Sequence, residues 1–260
     1  MPKGRNPSRG ALRHRTRSSR AEGEKTASFI VIGDEILSGR TEDTNSIYLA
    51  RSLRELGVRL MLAITIPDDP ALIKDALELC RHRFDYVFTS GGLGPTHDDV
   101  TLEGISQALG VPVVRHPDLE KRLRSLYGET LNEDQLRMAA VPEGAALHSF
   151  SNTRLPVISI ENIYLFPGIP ELFQQKFDAI KERFRSAPYF SKELLCTEKE
   201  SDIAQLLRTT LRLYPWIRIG SYPRWGDERY KVKIVVESKD KASVKEACSY
   251  LQTELRGKGR

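Results

Sequence analysis

The chain is short of the residues that build a disulfide framework or a thiolate metal site. Its three cysteines, Cys80, Cys196 and Cys248, lie far apart and form no C-x-x-C pair. That spacing excludes a cysteine scaffold and fits buried thiols in a reducing compartment. No apolar run approaches the ~20 residues that span a bilayer, and no secretory h-region opens the sequence. A concentrated positive charge is missing as well, once the net charge of +5 is located. Residues 1–25 hold eight Lys/Arg against two Glu, so the rest of the chain balances to −1. A nucleic-acid-binding surface needs clustered cations to meet phosphates. Neither a specific nucleic acid nor a membrane is therefore an expected partner of the body of the protein.

What the first residues do have is arginine. The stretch "MPKGRNPSRGALRHRTRSSR" carries almost no large apolar side chain and cannot bury enough surface to offset its ordering entropy, so residues 1–26 read as a disordered basic tail. An Arg-rich, acid-poor start also suits a mitochondrial transit peptide, although Leu12 offers only a thin apolar face. The expected location is cytoplasmic, with a mitochondrial one as the alternative.

The body alternates strands and helices. "ASFIVIGDEI" is a β-rich apolar run ending in a Gly-Asp-Glu loop; "DTNSIYLARSLRELG" has helical spacing, with Asp43 or Thr44 available as N-cap and Gly57 as stop. "VRLMLAITI", "DDPALIKDALELCRH", "FDYVFTS" and "DVTLEGISQALG" repeat the pattern. Such βαβ units predict a three-layer α/β/α sandwich around a mostly parallel sheet. Residues 117–140 read as helical, "PVISIENIYLFPGIP" as two short strands, and "PELFQQKFDAIKERF" as a helix opened by Pro170. The first domain is expected over residues 27–186. A small ferredoxin-like α+β domain follows over residues 187–256 in the order β-α-β-β-α.

Ligands of open parallel sheets bind outside the C-terminal strand ends. Three loops there have the right composition: residues 33–45 ("GDEILSGRTEDTN"), 89–99 ("TSGGLGPTHDD") and 166–170 ("FPGIP"). Gly91, Gly92 and Gly94 permit positive φ and close backbone approach, and a helix starting near Asp98 or Asp99 would present unpaired N–H groups to an anion. One aspartate suffices for a cap, so the pair suggests a second role, open between Asp98 and Asp99. Neither the Walker A nor the Rossmann glycine pattern is met. In "GSYPRWGDERY", Tyr222 and Trp225 are candidates either for stacking on a ring or for packing against the neighbouring domain.

Taken together, "GDEILSGRTEDTNSIYLARSLRELGV", "TSGGLGPTHDDVT", "MAAVPEGAAL" and "YLFPGIPEL" resemble the molybdopterin-binding domain shared by MogA, MoaB and CinA, over a match from about Ala27 to about Leu255. "SKEL" and "GSYPRWG" resemble the N-terminal domain of eukaryotic FAD synthases. The stretch "HSFSNTRLPVISIEN" lacks the Asn-rich, Gly-Thr-Ala-Pro-Gly segment of CinA proteins and favours the FAD-synthase branch. The resemblance implies a MogA-like fold, a homo-oligomer, and metal-dependent cleavage of FAD, to FMN and AMP, or of ADP-ribose. The alternatives are a non-catalytic molybdopterin- or nucleotide-binding module and a step of molybdenum-cofactor synthesis. It implies as cofactor a divalent cation, with K+ as an optional further ion, and as ligand a dinucleotide or a pterin. No FAD synthase module, and no amide-hydrolysing CinA domain, is expected in the chain. Carried over by motif, Asp34 and Asp99 are the catalytic candidates and Asp34, Asp98 and Asp99 the metal ligands. Gly33, Glu35, Thr44, Asn45, Ser90, Gly91, Gly92, Gly94, Thr96, Pro167 and Gly168 are the ligand-binding candidates.

Overall fold

The computed structural model describes residues 24–149, 154–224, 226 and 229–258; most of the basic tail and Trp225 lie outside them. The first unit runs β1 (Thr26–Ile32), α1 (Asp34–Leu37), α2 (Asn45–Glu55), β2 (Arg59–Ile66), α3 (Pro70–Arg81), β3 (Tyr86–Ser90), α4 (Thr101–Leu109), β4 (Val113–Arg115), α5 (Pro117–Tyr127), α6 (Glu133–Arg137), β5 (Ala140–Pro142), β6 (Ala146–His148), β7 (Val157–Ile160), β8 (Ile163–Phe166) and α7 (Pro170–Ile180), closed by a 3-10 turn, Lys181–Phe184. Its sheet has the order β2-β1-β3-β8-β7-β6. β2, β1, β3 and β8 are parallel, and the β7 and β6 edge is antiparallel. Every residue of β1 is buried, as a central strand covered on both faces requires.

Two cores flank the sheet. On one face Leu49 and Leu53 of α2 and Phe173, Phe177 and Ile180 of α7 pack with Phe29, Phe88 and Phe166. On the other, Ile73, Leu77 and Cys80 of α3 and Ile105 of α4 pack with Ile30, Val87 and Leu165. Phe166 meets Phe173 at a 5.0 Å ring separation and Phe88 meets Phe177 at 5.8 Å. These contacts fix the end of β8 and the loop after it. The expected α/β/α sandwich is therefore present.

Two local readings are corrected. Helix does not extend to residue 140: α6 ends at Arg137, and Ala140–Pro142 pairs antiparallel with β4. Pro142 biases the preceding residue toward extended backbone, and a small separate core of Leu119, Leu123, Ala139 and Val141 holds this lobe. The tail is also shorter than residues 1–26, since Thr26 opens β1 and Glu24 is buried.

The second unit is β9 (Phe190–Cys196), α8 (Glu200–Leu213), β10 (Arg218–Pro223), β11 (Val232–Ser238) and α9 (Lys241–Lys258), with an antiparallel sheet of order β10-β11-β9. A knot of charges docks it at the N-terminal end of the large sheet. The Glu24 carboxylate accepts from Arg218 at 2.6 Å and from the Tyr189 hydroxyl, with Arg59 3.7 Å away. Lys239 donates to the carbonyls of Gly57 and Ala187, and the Arg54 guanidinium lies 3.9 Å over the Tyr189 ring. A Cβ at Gly57 would stand 2.2 Å from the Ala187 carbonyl oxygen, so glycine is needed for this contact.

Burial opposes ionisation of Glu24, but hydrogen bonds from Arg218 and Tyr189 and the charges of Arg218 and Arg59 outweigh it and hold the carboxyl below its ordinary value. A depressed carboxyl stabilises the fold above its unfolded pKa of 4.5 and loses that contribution as pH falls through the lower folded value. Glu24→Gln is expected to cost roughly 2 kcal/mol at pH 7, less than a wholly buried pair because Arg218 is partly solvated. Thermal unfolding of both proteins across pH checks this. The gap should shrink below pH 4.5, and a gap independent of pH would show that the ion pair is not its source.

Candidate functional site

β1, β3 and β8 are adjacent and parallel, so the three loops singled out in the sequence leave the same edge of the sheet. They are tied together. The Gly91 N–H donates to the Phe166 carbonyl at 3.1 Å, and a Cβ on Gly168 would lie 3.5 Å from Gly91 Cα. Asn45, buried at the start of α2, donates to Ser90 Oγ at 3.0 Å and to the Gly168 carbonyl at 2.8 Å, and Ser90 Oγ donates to the Pro167 carbonyl at 3.3 Å. Asn45 and Ser90 thus join the loops and do not line the main cleft. Thr44 is exposed and makes no capping hydrogen bond; Asp43 caps α2 by accepting from the Ser46 N–H and hydroxyl.

Beside this junction opens a cleft of about 630 Å³. Its polar lining includes Gly33, Glu35, Asp68, Asp98, Asp99 and the Gly91–Gly94 turn. A Cβ at Gly33 would be 2.6 Å from Glu35 Oε1, which places that carboxylate over the end of β1. Pro167 and Gly168 form one wall. Leu119, Met138, Leu155, Ile158 and Leu165 belong to its apolar lining, and the first four of these also pack together in the small separate core. Asp34 and Thr96, although expected in the site, are not part of its lining.

The glycine loop does not work as the sequence suggests. Helix α4 begins at Thr101, with no side-chain cap from Asp98 or Asp99. Thr101 closes the loop itself, donating from its hydroxyl to the Gly91 carbonyl at 3.0 Å and from its N–H to the Gly92 carbonyl at 3.2 Å. Asp99 turns back on its own loop, where it accepts from the Gly94 N–H, the Thr96 N–H and the Thr96 hydroxyl at 2.5 to 2.7 Å. A Cβ on Gly94 would meet the Asp99 carboxylate at 2.6 Å. The N–H groups of Gly91, Gly94 and Thr96 are therefore already bonded within the protein. Among the described residues the Gly92 and Leu93 N–H groups have no such partner, which leaves this short piece of turn for an anion.

Asp98 is the other member of the pair: exposed, with its carboxyl held below the ordinary range by hydrogen bonding within its own loop. The sequence reading missed its counterpart across the cleft, Asp68, in the loop after β2. Asp68 accepts the Asp34 N–H at 2.9 Å. Burial and the nearby charges of Glu35, Asp34 and Asp98 push its carboxyl above the ordinary value, against the hydrogen bond from Asp34. The signal was present. "DD" at 68–69 also ends a parallel strand, and Asp69 alone caps α3, accepting from Ala71 and Leu72, which leaves Asp68 over. Each Asp-Asp pair thus has one member, Asp69 or Asp99, spent on backbone donors, although Asp99 also lines the cleft.

Also missed was Lys176 of α7. Its Nζ donates to the Leu155 carbonyl at 3.0 Å and the Pro156 carbonyl at 2.6 Å, and burial pushes its pKa down to about 8. Of the described residues that line the cleft it is the one basic side chain. Its neighbours one turn away, Leu172, Phe173, Ala179 and Ile180, are apolar, and a lysine on an apolar helical face was the legible sign.

Among the described residues no group of three His, Cys, Asp or Glu forms a preassembled metal cage. The donor set fits a different arrangement. Mg²⁺-type ions commonly take one or two carboxylates together with substrate phosphates and water, and Asp68, Glu35 and Asp98 supply carboxylates whose mutual repulsion a cation would relieve. Tyr222 does not line the cleft; it is 53% exposed and lies over Gly220 of its own strand. No helix among the described residues is long and apolar enough to cross a membrane.

Comparison with known proteins agrees with the fold and extends the assignment. Residues 28–186 match the probable molybdopterin binding domain family, and residues 188–259 match the FAD synthase middle domain. The second match corrects the expectation of no FAD synthase module. A protein of Archaeoglobus fulgidus is 34% identical over 88% of this chain and 98% of its own length. The probable FAD synthase of Caenorhabditis elegans is 29% identical over 95% of this chain, which spans only 53% of that relative. The solved structure of the protein CinA from Thermoplasma acidophilum superposes with a TM-score of 0.58 at 28% identity, covering 62% of this chain and 98% of that one. The chain belongs to the molybdopterin-binding domain family of MogA, MoaB and CinA, in a form that carries a FAD synthase middle domain.

Proposed function

We propose that the cleft binds a dinucleotide and hydrolyses its diphosphate, with FAD giving FMN and AMP as the reference reaction and ADP-ribose as a related substrate. The observation that carries this reading is a cleft that combines carboxylates and a short anion-binding turn with an apolar lining. The Gly92 and Leu93 N–H groups hold diphosphate oxygens. Asp68, with Glu35 and Asp98 beside it, faces the phosphorus that is attacked. A divalent cation held by these carboxylates and the substrate would offset the charge of the diphosphate and lower the pKa of the attacking water. Water adds to one phosphorus, the bridging P–O bond breaks, and Asp68 accepts the proton.

The test is chromatography of FAD and ADP-ribose incubated with the protein and Mg²⁺, Mn²⁺ or Co²⁺. AMP is expected from both, and only with added metal. No product under any of these conditions would sink the hydrolytic reading. A second reading, a molybdopterin- or nucleotide-binding module without turnover, is supported by the match of residues 28–186 to the probable molybdopterin binding domain. It predicts tight binding by titration with no product. A part in molybdenum-cofactor synthesis would appear instead as reaction with adenylated molybdopterin.

A further inference from the structure

The acidic lining of the cleft does not explain its one cation. An ammonium group in a mostly buried position needs acceptors, and Lys176 has only the carbonyls of Leu155 and Pro156, neutral groups that use two of its three donors. No ion pair with Asp or Glu is formed by Lys176 among the described residues, although Glu35, Asp68, Asp98 and Asp99 line the same cleft. Leu155, Pro156, Ile158 and Leu172 line the cleft together with Lys176. A cation held open beside an apolar slot has the chemistry to recognise a flat heteroaromatic ring that carries a phosphate.

We infer that Lys176 and this apolar lining form a ring-plus-phosphate subsite, in which the ring lies against the apolar side chains beside the lysine and the lysine donates to a phosphate oxygen of the same nucleotide. The subsite takes a phosphorylated heteroaromatic compound, and within a dinucleotide it selects the half that is held while the diphosphate reaches the carboxylates. The two carbonyl bonds orient the lysine before the ligand arrives, so little side-chain freedom is lost when it binds. This assignment rests on the reading of the cleft as a dinucleotide site, but it does not require hydrolysis.

The experiment compares FMN with riboflavin, which differ by the phosphate alone, by fluorescence titration of the whole protein without metal. Wild type is expected to bind FMN about tenfold more tightly than riboflavin, the scale of one hydrogen bond to a charged group. Lys176→Met should remove that advantage and leave riboflavin affinity within about twofold, while Lys176→Arg should retain part of it. If FMN and riboflavin bind wild type alike, if neither binds, or if Lys176→Met weakens both equally, Lys176 is only a clamp for residues 155 and 156 and the subsite is wrong. FAD turnover by the same samples separates the two proposals. Phosphate discrimination without AMP release would overturn the hydrolytic reading and leave the subsite standing.

Discussion

Asp68→Asn is expected to lower metal-dependent AMP release from FAD by about a hundredfold, the scale seen when a charge positioned at a reacting centre is removed, without lowering the melting temperature. The amide keeps an oxygen able to accept the Asp34 N–H, which Asp68 accepts at 2.9 Å, so the hydrogen bond survives while the charge does not. The sign of the stability change follows from linkage. Burial and the carboxylates of Glu35, Asp34 and Asp98 raise the folded pKa of Asp68 above its unfolded 3.8. Its ionised form therefore disfavours folding, absent well below pH 3.8 and fully present above the raised folded value. At neutral pH the variant should melt at the same temperature or higher, and any gain should fade in acid. Higher activity at lower stability is the usual trade at a working site. Full turnover by Asp68→Asn would remove this carboxylate from the chemistry.

Asp99→Asn should behave in the opposite way. Its carboxylate accepts three hydrogen bonds from Gly94 and Thr96, and an amide would set N–H groups against some of those donors. Both melting temperature and ligand affinity are expected to fall, because the loop itself loosens. Measured side by side, the two variants separate a carboxylate used on the ligand from one used on the backbone.

The contrast marks what the sequence could and could not reveal. Strand and helix periodicity placed β1, β2, β3 and the helices between them, because a parallel sheet buried on both faces writes its apolar runs directly into the chain. The composition of loops 33–45, 89–99 and 166–170 located the edge where the cleft opens. Which side chain of a loop faces outward was not legible, since it depends on partners distant in sequence. Asn45 is claimed by Ser90 and Gly168, Gly91 by Phe166 and Asp99 by its own turn. Asp68 and Lys176 were overlooked for a related reason: each looks like a helix-flanking charge until the fold brings β2, α4 and α7 around one cleft.

The largest effect on the fold of the site is expected from Gly91→Ala. Gly91 has φ of +106°, and a Cβ there would stand 2.0 Å from the carbonyl oxygen of Ile32. The loop crosses the end of β1 in direct backbone contact, and neither partner is the tip of a flexible side chain that can step aside. Gly110, with φ of +68° and no atom within 4 Å of its added Cβ, isolates the cost of the backbone angle alone. Gly110→Ala should cost about 1 kcal/mol, the penalty of a left-handed conformation for an L side chain. Gly91→Ala adds a steric overlap and should cost roughly 3 kcal/mol or more, lowering the melting temperature by about 10 °C in a domain of this size. Relief requires the loop to lift off β1, which would break the Gly91 N–H bond to Phe166 and shift the Gly92–Leu93 turn away from the diphosphate. Affinity for FAD should therefore fall with stability in Gly91→Ala and remain near wild type in Gly110→Ala. Equal melting temperatures for the two variants would mean that the loop accommodates the extra carbon, and that its contact with β1 does not set the geometry of the cleft.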